Sequence, residues 1–575
     1  MQSANSRLSL ILFLLLTLDV SSVFAQVLAQ VDGEGAASSA ALPRPQDRLR
    51  ETILPVIPAA EPTRILPEIP RPSLGEIQGD NPSDSIFVAE VSFTGNTVVS
   101  DAALLAPIED FIDRPLAAEG LEALRRRVTE VYVAAGYVNS GAVIPKQSLA
   151  DGRLEIVLIE GKVEAVRLRG LQHYREEVLR RRILHGLSDP LNVNEVEAQL
   201  RLLDQDPRIE RVNAKLRPGS SRSNAILEIR IEETDRRRLR LAFDNDESPS
   251  VGAYAGRLAL ANTNVFGFGD EFNVRLTQTQ GLTRITGGYE IPLNRWGTRF
   301  VFSGNYGTAE LVESVLQDID IETSDASLGA GLIQSLWRTP SDQVDLSLLL
   351  ERRRSKTLFD GERPPGVAGA GRGLSEISVV RVGADWTHRG RSSVFAMRSL
   401  ASFGTDIGNP SVSSGDDPDG VFVSWFGQAR GVYRFDRTGI EARLRADIQL
   451  SDRSLLPLEQ FAIGGSGSVR GFRRNQRVRD QGFSTGFDLF IPVWRGPDLR
   501  TLFAVNPFVD VGRVWNRGRG ASASETLTGL GFGLEWRPHP QLSFAAEWAH
   551  GFDDTNTSGD LQDQSVYLRA EWRLF

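Results

Sequence analysis

The sequence predicts a transmembrane β-barrel of 16 antiparallel strands, preceded by two small domains of β-α-α-β-β order. Three observations predict it. A short apolar run at the N-terminus marks the chain for export. Residues 85–234 spell one secondary-structure order twice. Residues 235–575 lose helical periodicity and alternate apolar with polar residues in segments of about ten, the pattern of strands with a lipid face and a wet face.

The export signal comes first. Arg7 precedes the apolar run Leu8–Leu18, and Val23-Phe24-Ala25 fits a cleavage site before Gln26. Residues 1–25 therefore read as a signal peptide. No later stretch reaches the roughly 18–20 apolar residues that a membrane helix needs. Without such a helix, only a closed barrel satisfies its backbone inside a bilayer.

Residues 26–84 are rich in proline, with Pro55, Pro58, Pro62, Pro67, Pro70 and Pro72 closely spaced. Such a segment buries no core and is expected to be an extended linker. A helical turn or two fits before the closely spaced prolines, over Pro45–Leu54.

The first small domain is expected over residues 85–162. Ile86–Phe93 reads as a strand and Gly95-Asn96 as a turn. Ser100 or Asp101 can cap a helix over Ala102–Ile112. Leu121, Leu124, Val128, Val131 and Tyr132 share one face of a second helix, which Gly136 ends. Strands follow at Ala142–Pro145 and Leu154–Ile159. The second domain, residues 163–234, repeats this order. Val163–Leu168 is a strand, Arg175–Leu184 and Val193–Leu203 are helices, and Ile209–Leu216 and Ala225–Ile231 are strands. Each domain offers a sheet edge or a helix groove to an extended peptide.

The barrel is expected over residues 235–575. In its clearest strand Leu530, Phe532, Leu534 and Trp536 face one way, and Gly529, Gly531, Gly533 and Glu535 the other. The last strand sets Val566, Leu568, Ala570, Trp572 and Leu574 against Arg569, Glu571 and Arg573. Phe575 falls one residue out of phase with that apolar register. A soluble β-sandwich would bury such a face, but the export signal, strand length and strand number favour a barrel. Short connections at 294–297, 436–439 and 538–541 alternate with long ones at 311–324, 359–374, 405–420, 453–482 and 552–563. The short ones belong on the periplasmic side, together with both barrel ends and the two small domains.

The longest connection, 453–482, holds Ser468-Val469-Arg470-Gly471-Phe472. An arginine among apolar residues and glycines is unusual for a solvated turn. Glycine permits close backbone approach, and a guanidinium can grip a carboxylate with a planar fork. Asp510, in Phe508-Val509-Asp510-Val511-Gly512, shares the inward face with Phe508 and Gly512. Asp488 shares an inward face with Ser484 and Gly486. The loop is therefore expected to fold into the lumen, with Arg470 held by Asp510 and Asp488.

Composition narrows the chemistry. The chain has no cysteine, which excludes disulfides, thiolate metal sites and cysteine nucleophiles. A net charge of −9 argues against a nucleic-acid partner. Arg125–Arg127 and Arg180–Arg182 lie in helical patterns and read as solvated faces. His173, His185, His388, His539 and His550 show no metal-ligand spacing on one element. No Gly-x-Ser-x-Gly or Walker pattern appears. Asp554–Gly559 imitates the start of a calcium loop, but Ser565 stands where the bidentate glutamate belongs. No catalytic residue, metal or cofactor is expected.

These residues resemble the outer-membrane transporters of two-partner secretion, the TpsB family of filamentous-haemagglutinin and haemolysin transporter type. That family lies within the superfamily that joins POTRA domains to a barrel. The resemblance covers about residues 85–575. It rests in the first domain on Gly136-Tyr137-Val138-Asn139-Ser140, Pro145-Lys146-Gln147, Gly152-Arg153-Leu154 and Glu160-Gly161. In the second it rests on Leu203-Asp204-Gln205-Asp206-Pro207 and Leu216-Arg217-Pro218-Gly219. In the barrel it rests on Gly267-Phe268-Gly269-Asp270, Val469-Arg470-Gly471-Phe472 and Phe508-Val509-Asp510-Val511-Gly512. The resemblance implies a pore in the bacterial outer membrane, POTRA domains in the periplasm, and export of one large exoprotein recognised by its N-terminal secretion domain. It also implies contact with outer-membrane lipid and with the barrel-assembly machinery during biogenesis. Tyr137, Pro145 and Gln147 become candidate cargo-binding residues. Residues 40–54 become a candidate plug helix. An assembly factor inserting other barrels would use the same arginine loop and stays open as the alternative, although two POTRA-like domains favour secretion.

Overall fold

The computed structural model describes residues 85–575 apart from 149–150, 222, 313–320, 360–372, 409–410, 412–417, 498–500, 518–523 and 554–558. The expected signal peptide, the linker, the plug-helix candidate and the calcium-like stretch at 554–558 lie outside the described residues.

The first domain comprises β1 (Ile86–Val88), β2 (Glu90–Thr94), α1 (Asp101–Leu105), a 3-10 turn (Ala106–Phe111), β3 (Arg114–Leu116), α2 (Ala118–Ala134), β4 (Gly141–Val143) and β5 (Arg153–Ile159). The single strand expected at 86–93 is broken at Ala89. There the N–H groups of Ala89 and Glu90 both donate to Gly152 O, at 2.7 and 3.1 Å. The two pieces then find different partners: β1 pairs with β3, and β2 runs parallel to β5. β3 was not expected, because three residues around Pro115 carry almost no periodicity. The first helix also divides. Ser100 caps α1 through Ala103 N–H, and Pro107 stands at the start of the 3-10 turn. A proline lacks the N–H that a continued α-helix would use. α2 buries Leu121, Leu124, Val128 and Tyr132 on the sheet, as its periodicity requires.

The second domain comprises β6 (Val163–Arg169), α3 (Glu176–His185), α4 (Val193–Asp204), β7 (Ile209–Pro218) and β8 (Ala225–Glu233). Its sheet runs β6-β8-β7, with β6 and β8 parallel. Leu179, Ile183, Leu200, Leu203, Leu227 and Ile229 form its core.

The barrel strands are β9 (Arg237–Asp244), β10 (Ala255–Thr263), β11 (Glu271–Gln278), β12 (Leu282–Pro292), β13 (Thr298–Glu310), β14 (Ile321–Arg338), β15 (Asp342–Phe359) and β16 (Leu374–Arg389). They continue as β17 (Ser393–Thr405), β18 (Val423–Arg434) and β19 (Glu441–Ser451). A small hairpin of β20 (Phe461–Ile463) and β21 (Arg477–Arg479) then stands apart. The wall resumes with β22 (Gln481–Arg495), β23 (Leu502–Trp515), β24 (Glu525–His539), β25 (Leu542–Gly551) and β26 (Val566–Arg573). Among the described residues the sixteen wall strands form one closed antiparallel barrel, with β19 paired to β22 and β26 to β9. Closure leaves no edge of unpaired backbone in lipid.

Side-chain alternation sets which face meets lipid. On β24, Leu530, Phe532, Leu534 and Trp536 are all at least 37% exposed, while Gly529, Gly531 and Gly533 point inward. On β26, Leu568 and Trp572 are exposed outside, while Tyr567 is buried inside.

The second domain docks on the turns at one end of the barrel. Arg175 N–H donates to Gly267 O at 3.0 Å, and its Nε donates to Phe266 O at 3.0 Å. Its guanidinium lies 4.2 Å from the Phe268 ring centroid. Gln205 Nε2 donates to Pro340 O in the β14–β15 turn at 2.8 Å. The Gly267-Phe268-Gly269-Asp270 turn is thus the seat of the second domain. A Cβ on Gly267 would sit 2.9 Å from His173 O.

Candidate functional site

Between β19 and β22 the chain runs inside the barrel. Phe461, Ala462, Ile463, Val469 and Phe472 are almost wholly buried, although they belong to a connection. They pack on inward residues of the wall, among them Leu400, Phe426, Val514 and Leu527.

Arg470 is 3% exposed and meets three carboxylates on three strands. Its Nε donates to Asp510 Oδ2 at 2.7 Å and its Nη2 to Asp510 Oδ1 at 3.0 Å. Nη2 also lies 2.7 Å from Asp488 Oδ1 on β22, and Nη1 lies 3.3 Å from Glu547 Oε1 on β25. The guanidinium carbon stands 3.3 Å from the Phe508 ring centroid. Asp510 is wholly buried and has a second cation, Arg445 of β19, whose Nη2 donates to Oδ1 at 2.6 Å. A buried charge is tolerable only when it is paired and its remaining lone pairs are occupied. Asp510 meets both conditions.

The backbone around Arg470 is fixed as closely as its side chain. Gly471 N–H and Phe472 N–H both donate to Tyr567 Oη at 3.0 Å, and Tyr567 donates back to Phe472 O at 2.6 Å. Gly471 has φ +102°, a region side chains rarely adopt. The wall yields space in return. A Cβ on Gly529 would stand 1.9 Å from Arg470 O, one on Gly512 2.8 Å from Val469 Cγ2, and one on Gly551 2.8 Å from Phe472 Cζ. One inward glycine on each of β23, β24 and β25 therefore makes room for the loop.

The structure thus brings Arg470, Asp510, Asp488, Phe508, Gly512, Val469, Gly471 and Phe472 together. The sequence reasoning did not single out Arg445, Glu547 or Tyr567. Each carries the inward phase of its strand, and that phase was the available signal.

The three POTRA candidates are placed differently. Tyr137 is half-buried and meets Tyr132 edge-on, with ring centroids 6.0 Å apart. Gln147 turns its amide on its own domain: Nε2 donates to Glu155 O at 2.7 Å, and Oε1 accepts Glu155 N–H at 2.8 Å. Pro145 is half-buried beside it.

The rest of the Gly136–Ser140 stretch joins the two domains. Val193 N–H donates to Gly136 O at 2.9 Å and Asn139 Nδ2 to Ser223 O at 2.7 Å, while within the first domain Gly161 N–H donates to Ser140 Oγ at 2.9 Å. Val138 packs against the second domain's core. Close by, Glu160 accepts Thr97 N–H at 2.7 Å and Tyr132 Oη–H at 2.8 Å. Burial raises the Glu160 pKa, but the hydrogen bonds from Thr97, Tyr132 and Val98 outweigh it and hold the carboxyl below its ordinary range. Burial and the same carboxylate push the Tyr132 phenol up.

Comparison with known proteins meets this geometry at two places. Residues 223–536 match the model of the haemolysin secretion/activation proteins ShlB/FhaC/HecB, and residues 86–161 match the ShlB-type POTRA domain. An outer membrane transporter CdiB of Dickeya dadantii (strain 3937) is 22% identical over 77% of this chain and 79% of that protein. A heme/hemopexin transporter protein HuxB of Haemophilus influenzae (strain 86-028NP) is 21% identical over 67% of this chain and 69% of that protein. Among solved structures, CdiB from Escherichia coli superposes with a TM-score of 0.66 at 18% identity, covering 88% of this chain and 94% of that one.

Proposed function

The chain belongs to the ShlB/FhaC/HecB family of haemolysin secretion/activation proteins, and from that premise we propose how it works. It is an outer-membrane transporter of two-partner secretion, with its POTRA domains in the periplasm and its barrel as the pore. The partner is a large exoprotein. We propose that the two domains capture that exoprotein's N-terminal secretion domain in extended form. The second POTRA domain stands on the periplasmic turns, so a peptide held there is delivered to the barrel mouth. Gly136–Ser140 acts as the joint that sets the angle between the domains, and Tyr137 reaches the cargo only at its half-exposed face.

We further propose that Arg470, gripped by Asp510 and Asp488, keeps the loop in the lumen in the resting state. The observation that carries this reading is the buried loop tip: an arginine satisfied by three carboxylates of the inner wall. Outer-membrane lipid surrounds the apolar face, and the barrel-assembly machinery inserts the chain. We propose also that residues 1–25 direct export.

A binding measurement tests the capture step. Residues 85–234, each half with its own core, are titrated with the N-terminal region of the exported exoprotein. Saturable binding by this fragment is expected. Binding seen only with barrel-containing protein would move recognition to the barrel.

A further inference from the structure

The loop has a second buried charge cluster, remote from Arg470. Before β20, Leu455, Leu456 and Leu458 cover Ile377 and Val379, two inward residues of β16. Apolar groups facing a wet lumen are unfavourable unless something shields them from water. The loop limb does so here.

Within this patch Glu459 is 1% exposed. Its Oε1 accepts from Arg353 Nη1 of β15 at 2.5 Å and from Arg381 Nη2 of β16 at 2.8 Å. Its Oε2 accepts from Arg381 Nη1 at 3.1 Å. Arg353 Nη1 also donates to Leu458 O at 2.6 Å, so one guanidinium holds both side chain and backbone of the limb. Arg381 is itself positioned by Glu351 at 3.0 Å and by Ser402 Oγ of β17 at 2.7 Å. Gln449 Nε2 of β19 donates to Glu459 O at 2.7 Å.

Among the described residues, the side chains named here are not those that hold Arg470. β15 and β16 lie beyond β17, β18 and β19 from β22 and β23 in the barrel order. The limb is joined to the tip through Gly464-Gly465, at φ +110° and +88°. A backbone of that kind can change direction without side-chain strain.

We propose that Glu459 is a second positioning residue of the lumenal loop, pinning residues 455–460 to β15 and β16 independently of the Arg470 tip. The reason is chemical. A carboxylate between two buried guanidiniums adds little net stability over an apolar substitute, but its removal takes from Arg353 and Arg381 the carboxylate that they share. The cluster therefore fixes where the limb sits. Tip and limb are held separately, so the tip can leave the β22–β25 wall while the limb still covers β16. Passing polypeptide then runs along the β22–β25 side.

The proposal rests on the lumenal loop being part of the transport pore, but its test needs no cargo. The chain has no cysteine, so single cysteines report cleanly. Leu456→Cys reports the limb and Ser468→Cys the tip, at positions that are 1% and 2% exposed. Each is placed in the full-length protein and labelled on intact cells with a membrane-impermeant maleimide. Glu459→Gln is expected to speed labelling of Leu456→Cys by at least roughly tenfold, with Ser468→Cys changed by less than about twofold. Arg470→Ala is expected to do the reverse. Heat-resistant migration on gels verifies a closed barrel in every variant. If Glu459→Gln fails that check, Glu459→Asp, which keeps the charge but is too short to reach both arginines, is read by the same criterion. Either variant leaving Leu456→Cys protected, or exposing both cysteines alike, overturns the proposal. The labelling patterns expected above, combined with unchanged secretion in a strain deleted for the gene, would instead count against the transport reading.

Discussion

Arg470 and Asp510 are joined three times. The guanidinium donates twice to the carboxylate, at 2.7 and 3.0 Å, and the Arg470 backbone N–H donates to Oδ2 at 3.1 Å. Breaking one side of such a buried pair costs about 3–5 kcal/mol, and a wet lumen brings that toward the lower end. The wall's strand hydrogen bonds do not depend on it. Arg470→Ala is therefore predicted to insert and stay heat-resistant on gels while secretion falls at least about tenfold. Arg470→Lys restores part of the activity, because an ammonium cannot form the planar fork. Full secretion by Arg470→Ala would remove the anchoring model.

Asp510→Ala should be at least as damaging as Arg470→Ala. Asp510 also takes Arg445 at 2.6 Å, so its loss removes a carboxylate from two guanidiniums at once. The double variant Arg470→Ala/Asp510→Ala is predicted to be no worse than the worse single, since the residues act in one network. Losses that add in secretion assays would mean that the two residues act separately.

Gly529→Ala tests the wall rather than the loop. Its Cβ would stand 1.9 Å from Arg470 O, and backbone on both sides cannot absorb that overlap. The loop tip is predicted to be displaced, with a secretion defect like that of Arg470→Ala in a folded barrel. Gly256→Ala, on β10 with nothing within 4 Å, serves as control and is predicted to be neutral. A Gly529→Ala strain secreting as well as the control would show that the tip does not need its close seat.

The joint between the POTRA domains should loosen without unfolding either one. Asn139→Ala removes the bond to Ser223 O at 2.7 Å, worth about 1 kcal/mol. Gly136→Ala is harsher, since φ is +98° and a Cβ would lie 2.5 Å from Asn192 Oδ1. Both are predicted to increase proteolytic cleavage between α2 and β4, Gly136→Ala the more. Unchanged cleavage in both would leave the joint without a mechanical role.

Acid should weaken the first POTRA domain through Glu160. Its pKa is depressed in the folded state, so its stabilisation is fully present above the unfolded value of about 4.3. That contribution disappears as pH falls through the lower folded value. Glu160→Gln is predicted to flatten the acid limb of a stability–pH curve for residues 85–162. An acid limb identical to that of the parent would assign the effect to other groups.

Much of the fold was legible because strands in a barrel must alternate, and alternation survives in β24, β25 and β26 despite their differing residues. Arg470, Asp510 and Asp488 were legible for a related reason: a charge in the inward phase needs a partner, and few were within reach. What sequence reasoning missed was local. The break at Ala89 arises from two N–H groups sharing Gly152 O, a contact with a residue distant in sequence. The 3-10 turn follows from Pro107, whose effect on a single helical turn is easily overridden in a periodicity count. Glu459 was passed over because its partners, Arg353 and Arg381, stand on strands remote in sequence. The sequence likewise gave no sign that the Gln147 amide bonds the Glu155 backbone.

The central claim is that this chain exports a large exoprotein and needs its lumenal loop to do so. The most direct measurement compares culture supernatants of a strain deleted for the gene, the same strain complemented with the wild-type chain, and that strain carrying Arg470→Ala. The account predicts that one large exoprotein disappears from the deletion supernatant, returns with the wild-type chain and does not return with Arg470→Ala, although the variant barrel is present in the outer membrane. An unchanged set of exoproteins in the deletion strain, with the genes for them still expressed, would contradict it.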